Sequence, residues 1–319
     1  MPRAIILGSS GQDGTILFQK LQLSGFDVVG VTRDRTRSSI NEFDDRSMSI
    51  SSKKDMFELI EDFQPDHIYH LAAYQHSSAD AVLDEECHIL RQSLEVNVLA
   101  LHHVLEAVCL YSKSSSVFYA GSSHVFGNTE SLVQTEETPF SPIGYYGISK
   151  AAGIDLCRYY RDRKSLSVAT GILYNHESIY RKPNFVSVKI IQGALDILHK
   201  KKTGLVLGDL AAKVDWGSAH DYVDAMYLLL CRKISDDFII ATGVQHSVRE
   251  FVEIVFGYLG LDFRDYVTES KGLINRNPNS LCGDISKIQD TIGWSPQITF
   301  EEMVLYMTDH YQNQIHVGG

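Results

Sequence analysis

Cysteine is scarce and has no pairing pattern. The chain of 319 residues holds five, Cys87, Cys109, Cys157, Cys231 and Cys282, widely scattered and without a Cys-x-x-Cys. That excludes a disulfide scaffold and matches a protein kept reduced in the cytoplasm. The thirteen histidines include no His-x-x-x-His and no Cys/His cluster, so no metal is expected. Basic charge is also in deficit: 29 Lys and Arg against 40 Asp and Glu leave a net charge of −11, which argues against nucleic-acid and membrane surfaces as partners. No uninterrupted apolar run approaches the ~20 residues of a bilayer span, and no basic-then-apolar leader opens the chain. Internal repeats and low-complexity segments are missing as well.

What is present is alternation. The length exceeds that of a usual single core, which predicts one large domain with a smaller appendage. Arg3 to Gly8 is an apolar, β-branched run of the kind buried in a parallel sheet. It runs into Gly8-Ser-Ser-Gly11-Gln12-Asp13-Gly14, an amphipathic segment to Ser24, and a second strand from Gly25. Glycines permit a tight turn and a close backbone approach, and the helix N-terminus then offers N–H groups to a pyrophosphate. In the strand-turn-helix-strand context this predicts dinucleotide binding; a purely structural glycine turn is the alternative. The second strand ends in Thr32-Arg33-Asp34-Arg35, and arginine there accommodates a 2′-phosphate, so NADP is favoured over NAD through Arg33 and Arg35. A solvated charged loop is the competing reading.

Further strands and helices follow. Asp66 to Ala73 reads as a strand whose small terminal residues, with Leu71 and Ala72, let backbone approach the cofactor. Residues 85–111 read as one long helix carrying Asn97, and 116–121 as the strand that delivers Ser122. Residues 168–178 read as another strand, ending in polar residues. The pattern predicts a doubly wound, Rossmann-type parallel sheet with a smaller C-terminal α/β substrate-binding domain. The cofactor domain is expected over 1–170 with parts of about 210–245, and the substrate domain over about 171–209 and 246–319.

Tyr146 and Lys150 stand four apart, which places them on one face of a helix. A nearby ammonium favours the phenolate, as a proton-transfer pair requires. Taken alone the spacing is common; taken with the glycine loop, Asn97 and Ser122 in this order, the chain resembles the extended short-chain dehydrogenase/reductases that modify nucleotide sugars (the epimerase/dehydratase group). Among them it is most similar to the GDP-mannose 4,6-dehydratase family. The matching stretches include Gly11-Gln-Asp-Gly14, Ile172-Leu-Tyr-Asn-His-Glu-Ser178, Asn184-Phe-Val186, Asp215-Trp-Gly217, Asp221-Tyr-Val-Asp-Ala-Met226 and His246-Ser-Val-Arg-Glu-Phe-Val252.

The resemblance implies oxidation at C4 of a GDP-hexose, with water lost across C5 and C6. It implies Tyr146 as base, Lys150 as its partner and ribose contact, and Ser122 on the same sugar oxygen. Ser123, Asn175, Asn184, Lys189, Lys213 and Arg276 would lie along the nucleotide diphosphate-sugar. Assembly is expected through helices at about 88–111 and 147–163 as a homodimer, or a homotetramer in which the 33–38 loop meets a neighbour. Two departures stand out. His124 occupies the position of the family's catalytic glutamate, and Val214 that of an arginine aimed at the diphosphate. Imidazole serves as a general base near neutrality, so His124 is assigned to elimination; a polar group with no chemical role is the alternative. C4 oxidation, reduction or epimerisation without loss of water is the competing reaction, and a non-catalytic nucleotide-binding scaffold the reading from another class.

Overall fold

The computed structural model describes residues 1–32, 45–75, 86–270 and 281–317. Its first half comprises β1 (Arg3–Leu7), α1 (Gln12–Leu23), β2 (Asp27–Thr32), β3 (Asp45–Ser47), α2 (Lys53–Phe63), β4 (His67–His70), α3 (Glu86–Leu94), α4 (Ala100–Tyr111), β5 (Ser116–Ala120), α5 (Tyr145–Lys164) and β6 (Ser167–Leu173). The second half comprises β7 (Asn175–Glu177), α6 (Val186–Leu198), β8 (Leu205–Leu207), β9 (Lys213–Ser218), α7 (Ala219–Cys231), β10 (Asp237–Ile240), β11 (Gln245–Ser247), α8 (Val248–Tyr258), β12 (Val267–Glu269), α9 (Ser286–Ile292) and α10 (Phe300–Val317).

Seven parallel strands form the main sheet in the order β3-β2-β1-β4-β5-β6-β10. Helices cover both faces, which is why Ala4, Ile5, Ile6 and Leu7 are wholly buried and the strand reads as a continuous apolar run. Strand order reverses between β1 and β4, and the crevice outside their carboxyl ends is where open α/β sheets take ligands. A second core gathers α6, α8, α10 and β9 around Ile190, Trp216, Phe251, Phe256 and Val304. Its strands are short: β7-β9-β11 form one small sheet and β8-β12 another.

Two elements differ from the sequence reading. The single strand expected over 168–178 is divided. β6 stays in the main sheet, where the Tyr174 amide closes on the Ile240 carbonyl at 3.0 Å, and β7 leaves to pair with β9. The expected long helix is continuous over Glu86–Tyr111 but widens into a π-helical turn at Glu95–Leu99. That run is apolar and long enough by composition to cross a bilayer; in this fold Leu101, Val104, Leu105 and Val108 are buried against the rest of the core.

The helix bearing Tyr146 and Lys150 is clamped to the edge of the main sheet. Asp237 on β10, buried, receives Arg158 Nε and Arg161 Nη2, both at 2.6 Å. Removing one member of a buried ion pair leaves charge uncompensated. Asp237→Ala is expected to lower the unfolding free energy by about 3 kcal/mol, read from urea midpoints.

Candidate active site

The glycine turn is built by close packing. Gly8 has φ +94°, and a Cβ on it would lie 2.8 Å from the Ala72 amide nitrogen. A Cβ on Gly14 would run into the Gly8 carbonyl and lie 2.8 Å from Ser9 Cα. Gly11, the N-cap of α1, supplies no side-chain cap, so the helix N-terminus keeps its donors for an anion. The Leu71 amide meets the Leu7 carbonyl at 3.0 Å, which holds the end of β4 beside this turn.

Gln12 and Asp13 offer the turn their backbones; their side chains are committed elsewhere. Gln12 Nε2 donates to the His176 carbonyl at 3.0 Å, and Ser178 Oγ donates to Gln12 Oε1 at 2.9 Å. Asp13 faces His176 Nε2 with both oxygens at 3.0 Å, while His176 Nδ1 lies 2.7 Å from the Tyr174 carbonyl. With an acceptor at each nitrogen the imidazole is held as the cation. Burial opposes this, yet the Asp13 carboxylate raises His176 above its ordinary value. Burial likewise opposes the Asp13 charge, and His176 holds that carboxyl below its ordinary range.

At the carboxyl end of β5, Ser122 and Ser123 are buried. The Ser122 side chain accepts the His124 amide at 3.3 Å and is hydrogen-bonded to the Tyr146 hydroxyl. Burial pushes the Tyr146 phenol up to about 12, whereas Ser122 and Arg181 pull it down. Lys150 is 1% exposed; its Nζ donates to the Ala120 carbonyl at 2.7 Å and lies 5.7 Å from the Tyr146 ring centroid. Burial lowers that ammonium to about 7. The exposed His124 ring stands edge-on to Tyr146, with centroids 5.5 Å apart. Tyr146 thus has the Lys150 Nζ on one side and the His124 ring on another, beyond the carboxyl end of β5.

Asn97, Glu177 and Arg181 complete the site. Asn97, set inward by the π-helical turn, holds Tyr74 through both main-chain groups (2.9 and 3.1 Å) and donates to Ser149 Oγ at 2.9 Å. Ser149 in turn donates to the Tyr146 carbonyl at 2.9 Å. Arg181, largely buried, pairs with Glu177 at 3.1 Å and lies over the Phe185 ring at 3.7 Å. The signal for Glu177 was the polar run Asn175 to Ser178 on an otherwise apolar strand, and that for Arg181 the basic stretch from Tyr180 to Lys202 on an acidic chain. Asn175 is half-buried on β7, opposite Trp216, whereas Asn184, Lys189 and Lys213 are exposed. Arg33, Arg35 and Arg276 lie outside the described residues.

The family GDP-mannose 4,6 dehydratase matches residues 5–307. GDP-mannose 4,6 dehydratase 2 of Arabidopsis thaliana is 34% identical over 326 residues, covering 96% of this chain and 86% of the relative. Among solved structures, dTDP-glucose 4,6-dehydratase of Bacillus anthracis in complex with NAD superimposes with a TM-score of 0.82 at 18% identity, over 99% of this chain and 98% of that one. RMD of Pseudomonas aeruginosa, complexed with NADPH, gives 0.81 at 20% identity, over 98% and 100%. At those identities the two structures speak for the fold.

The Asp13–His176 link has a pH signature. A raised His176 contributes stability that is fully present below its unfolded value of 6.5 and is lost as pH rises through the raised one. A lowered Asp13 contributes above 3.8 and is lost as pH falls through its depressed value. The link is therefore strongest between those limits. His176→Gln is expected to cost on the order of 2 kcal/mol at pH 5 and distinctly less at pH 9, as measured by urea unfolding at both.

Proposed function

Because the chain belongs to the GDP-mannose 4,6-dehydratase family, we propose that it oxidises C4 of a GDP-hexose, GDP-mannose first among them, and eliminates water across C5 and C6, as a lyase using NADP. The observation that carries this reading is the Ser122–Tyr146–Lys150 group at the carboxyl edge of β5, beside a glycine turn whose Gly8 and Gly14 leave no room for a Cβ. That turn fits a dinucleotide pyrophosphate, and Arg33 and Arg35 favour NADP, with NAD as the less favoured cofactor. Gly8, Gly11 and Gly14 would hold the dinucleotide at this turn, and its nicotinamide would supply reversible hydride transfer for the sugar.

The chain's own groups handle the protons. Tyr146 takes the proton of the C4 hydroxyl, Ser122 holds the same oxygen, and Lys150 supports the phenolate. His124, beside Tyr146, removes the proton from C5 once C4 is a ketone. Two protons leave, from O4 and C5, and two are returned, to the departing C6 hydroxyl and to C5, so the sequence balances. Asn175, Asn184, Lys189, Lys213 and Arg276 are assigned to the nucleotide diphosphate-sugar, with Arg181 as a further cation where Val214 gives none.

The exposed His124, in place of a carboxylate, favours a second reading in which C4 is oxidised, reduced or epimerised without loss of water. Product mass decides between them. Purified protein incubated with GDP-mannose and NADP is expected to yield a product lighter by one water, and His124→Gln to slow that loss by about 10²-fold while cofactor reduction persists. An unchanged substrate or a loss of two hydrogens alone would support the second reading; no binding of any GDP-sugar would defeat both.

For assembly, we infer a homodimer. Leu94, Leu99 and Leu110 on one helical run and Ile148 and Tyr159 on α5 are exposed apolar side chains on the two helices expected to pair. The tetrameric alternative rests on the 33–38 loop, outside the described residues. The five free thiols support a reducing, cytoplasmic location. Light scattering is expected to give twice the chain mass, and Leu99→Asp to shift it toward the monomer.

A further inference from the structure

Lys150 is fully enclosed, and among the described residues its ammonium is held without an acid. Its Nζ has the Ala120 carbonyl at 2.7 Å and, 4.8 Å away, the centroid of the Tyr119 ring. Among the described residues the influences on its charge are burial and the Cys157 thiol, with no carboxylate. We propose that Tyr119 is a positioning residue for the Tyr146–Lys150 pair: the face of its buried ring stabilises the Lys150 cation in the role a carboxylate would otherwise fill.

The surroundings of Tyr119 are arranged for a ring. Gly153 on α5 leaves the space, since a Cβ there would lie 2.6 Å from Tyr119 Cζ. A glycine inside a helix is disfavoured against alanine, so its place here reflects the space the ring needs. The Tyr119 hydroxyl donates to the Asn97 carbonyl at 3.1 Å, which fixes the ring plane against the π-helical turn. On β4 the register partner is His70, whose ring meets Tyr119 edge-on with centroids 5.7 Å apart. His70 is buried with neither nitrogen hydrogen-bonded among the described residues, and burial together with Lys150 holds it neutral down to about pH 3.

The groups facing Lys150 are thus His70 from β4, Tyr119 from β5, and Tyr146 and Cys157 from α5. Burial pushes Tyr146 and Cys157 up to about 12, and Tyr119 well above its ordinary value. Arg181 and Asp13 act on Tyr146 with opposite signs. At neutrality Lys150 alone of the facing groups changes charge. A cation over a desolvated aromatic face is stabilised by the ring quadrupole, by about tenfold or more in its protonation equilibrium. Without that face the mobile proton shifts its balance. Once the pair has lost one proton, the form with neutral lysine and neutral tyrosine gains over the form with ammonium and phenolate. The working base becomes rarer even as the first proton leaves at lower pH.

The test titrates Lys150 in the full-length protein, through the ¹³Cε shift of labelled lysine, with the signal assigned by its loss in Lys150→Met. Tyr119→Phe keeps the ring and is expected to hold the midpoint within about 0.3 unit, whereas Tyr119→Leu lowers it by about one unit, a tenfold change. Pentafluorophenylalanine at position 119, nearly equal in size with a reversed quadrupole, gives the same direction should the leucine variant fail to fold. An unchanged midpoint in the leucine and fluorinated forms would overturn the proposal. A second readout rests on the C4 oxidation proposed above: in Tyr119→Leu the pH profile of NADP reduction by GDP-mannose falls about tenfold at its plateau while its acid limb moves to lower pH. A merely structural loss lowers the plateau without moving the limb, and that result also overturns the proposal. Lack of turnover in the wild-type protein defeats only the functional reading, because the lysine titration stands by itself.

Discussion

Asp13 and His176 are 163 residues apart in sequence and 3.0 Å apart in space, and the relation between the two halves of the site depends on their contact. One belongs to the first turn of the helix behind the glycine loop, the other to a three-residue strand outside the main sheet. Gln12 and Ser178 repeat the connection a few ångströms away. The pair also solves an electrostatic problem. A bare carboxylate in the first turn suits the helix dipole but opposes a pyrophosphate at the same place. An imidazolium bonded to that carboxylate removes the repulsion and leaves the backbone donors facing outward. Tyr222, stacked on His176 with centroids 4.6 Å apart, shields the pair from water and strengthens it.

The same economy of charge governs the proton-transfer group. Lys150 is buried where solvent cannot support an ammonium, so its protonation rests on a carbonyl and a ring face. Tyr146 is half-buried, and Ser122 and Arg181 favour its phenolate against the cost of desolvation. Neither group can hold its charged form alone. With Nζ 5.7 Å from the Tyr146 ring centroid, opposite charges on the two would favour one another.

The features legible in the sequence were those with a local cause. A glycine turn between an apolar strand and an amphipathic segment reports its own geometry, and a Tyr–Lys spacing of four reports a shared helical face. Both elements are where the residues place them. The π-helical turn at Glu95–Leu99 has no comparable signature, because shifting a backbone hydrogen bond by one residue changes neither composition nor apolar period. The division of 168–178 was hidden for another reason: β6 and β7 are both extended, and only their partners, β5 and β10 for one and β9 for the other, distinguish them. The tie from His176 to Asp13 is long-range and polar, and polar residues at a strand end read locally as a turn. Its one trace was the placement of four polar residues where an apolar strand would have continued.

His124 bears on the chemistry through charge as much as through reach. A carboxylate at this position would stand against the face of Tyr146 and, as a like charge, disfavour the phenolate that C4 oxidation requires. An imidazole 5.5 Å from the Tyr146 ring, edge-on, carries no such penalty when neutral. If His124 acts on C5 as proposed, the exchange trades strength in the second step for ease in the first, since imidazole lacks the negative charge that a carboxylate brings to the C5 proton. Arg181 shifts the balance the same way, lowering the phenol from within the site. Burial still outweighs both Ser122 and Arg181 and holds the phenol above its ordinary value, so these two groups reduce the cost of the anion without removing it. On the roles proposed for Tyr146 and His124, a neutral imidazole therefore eases C4 oxidation relative to a carboxylate and weakens the pull on the C5 proton.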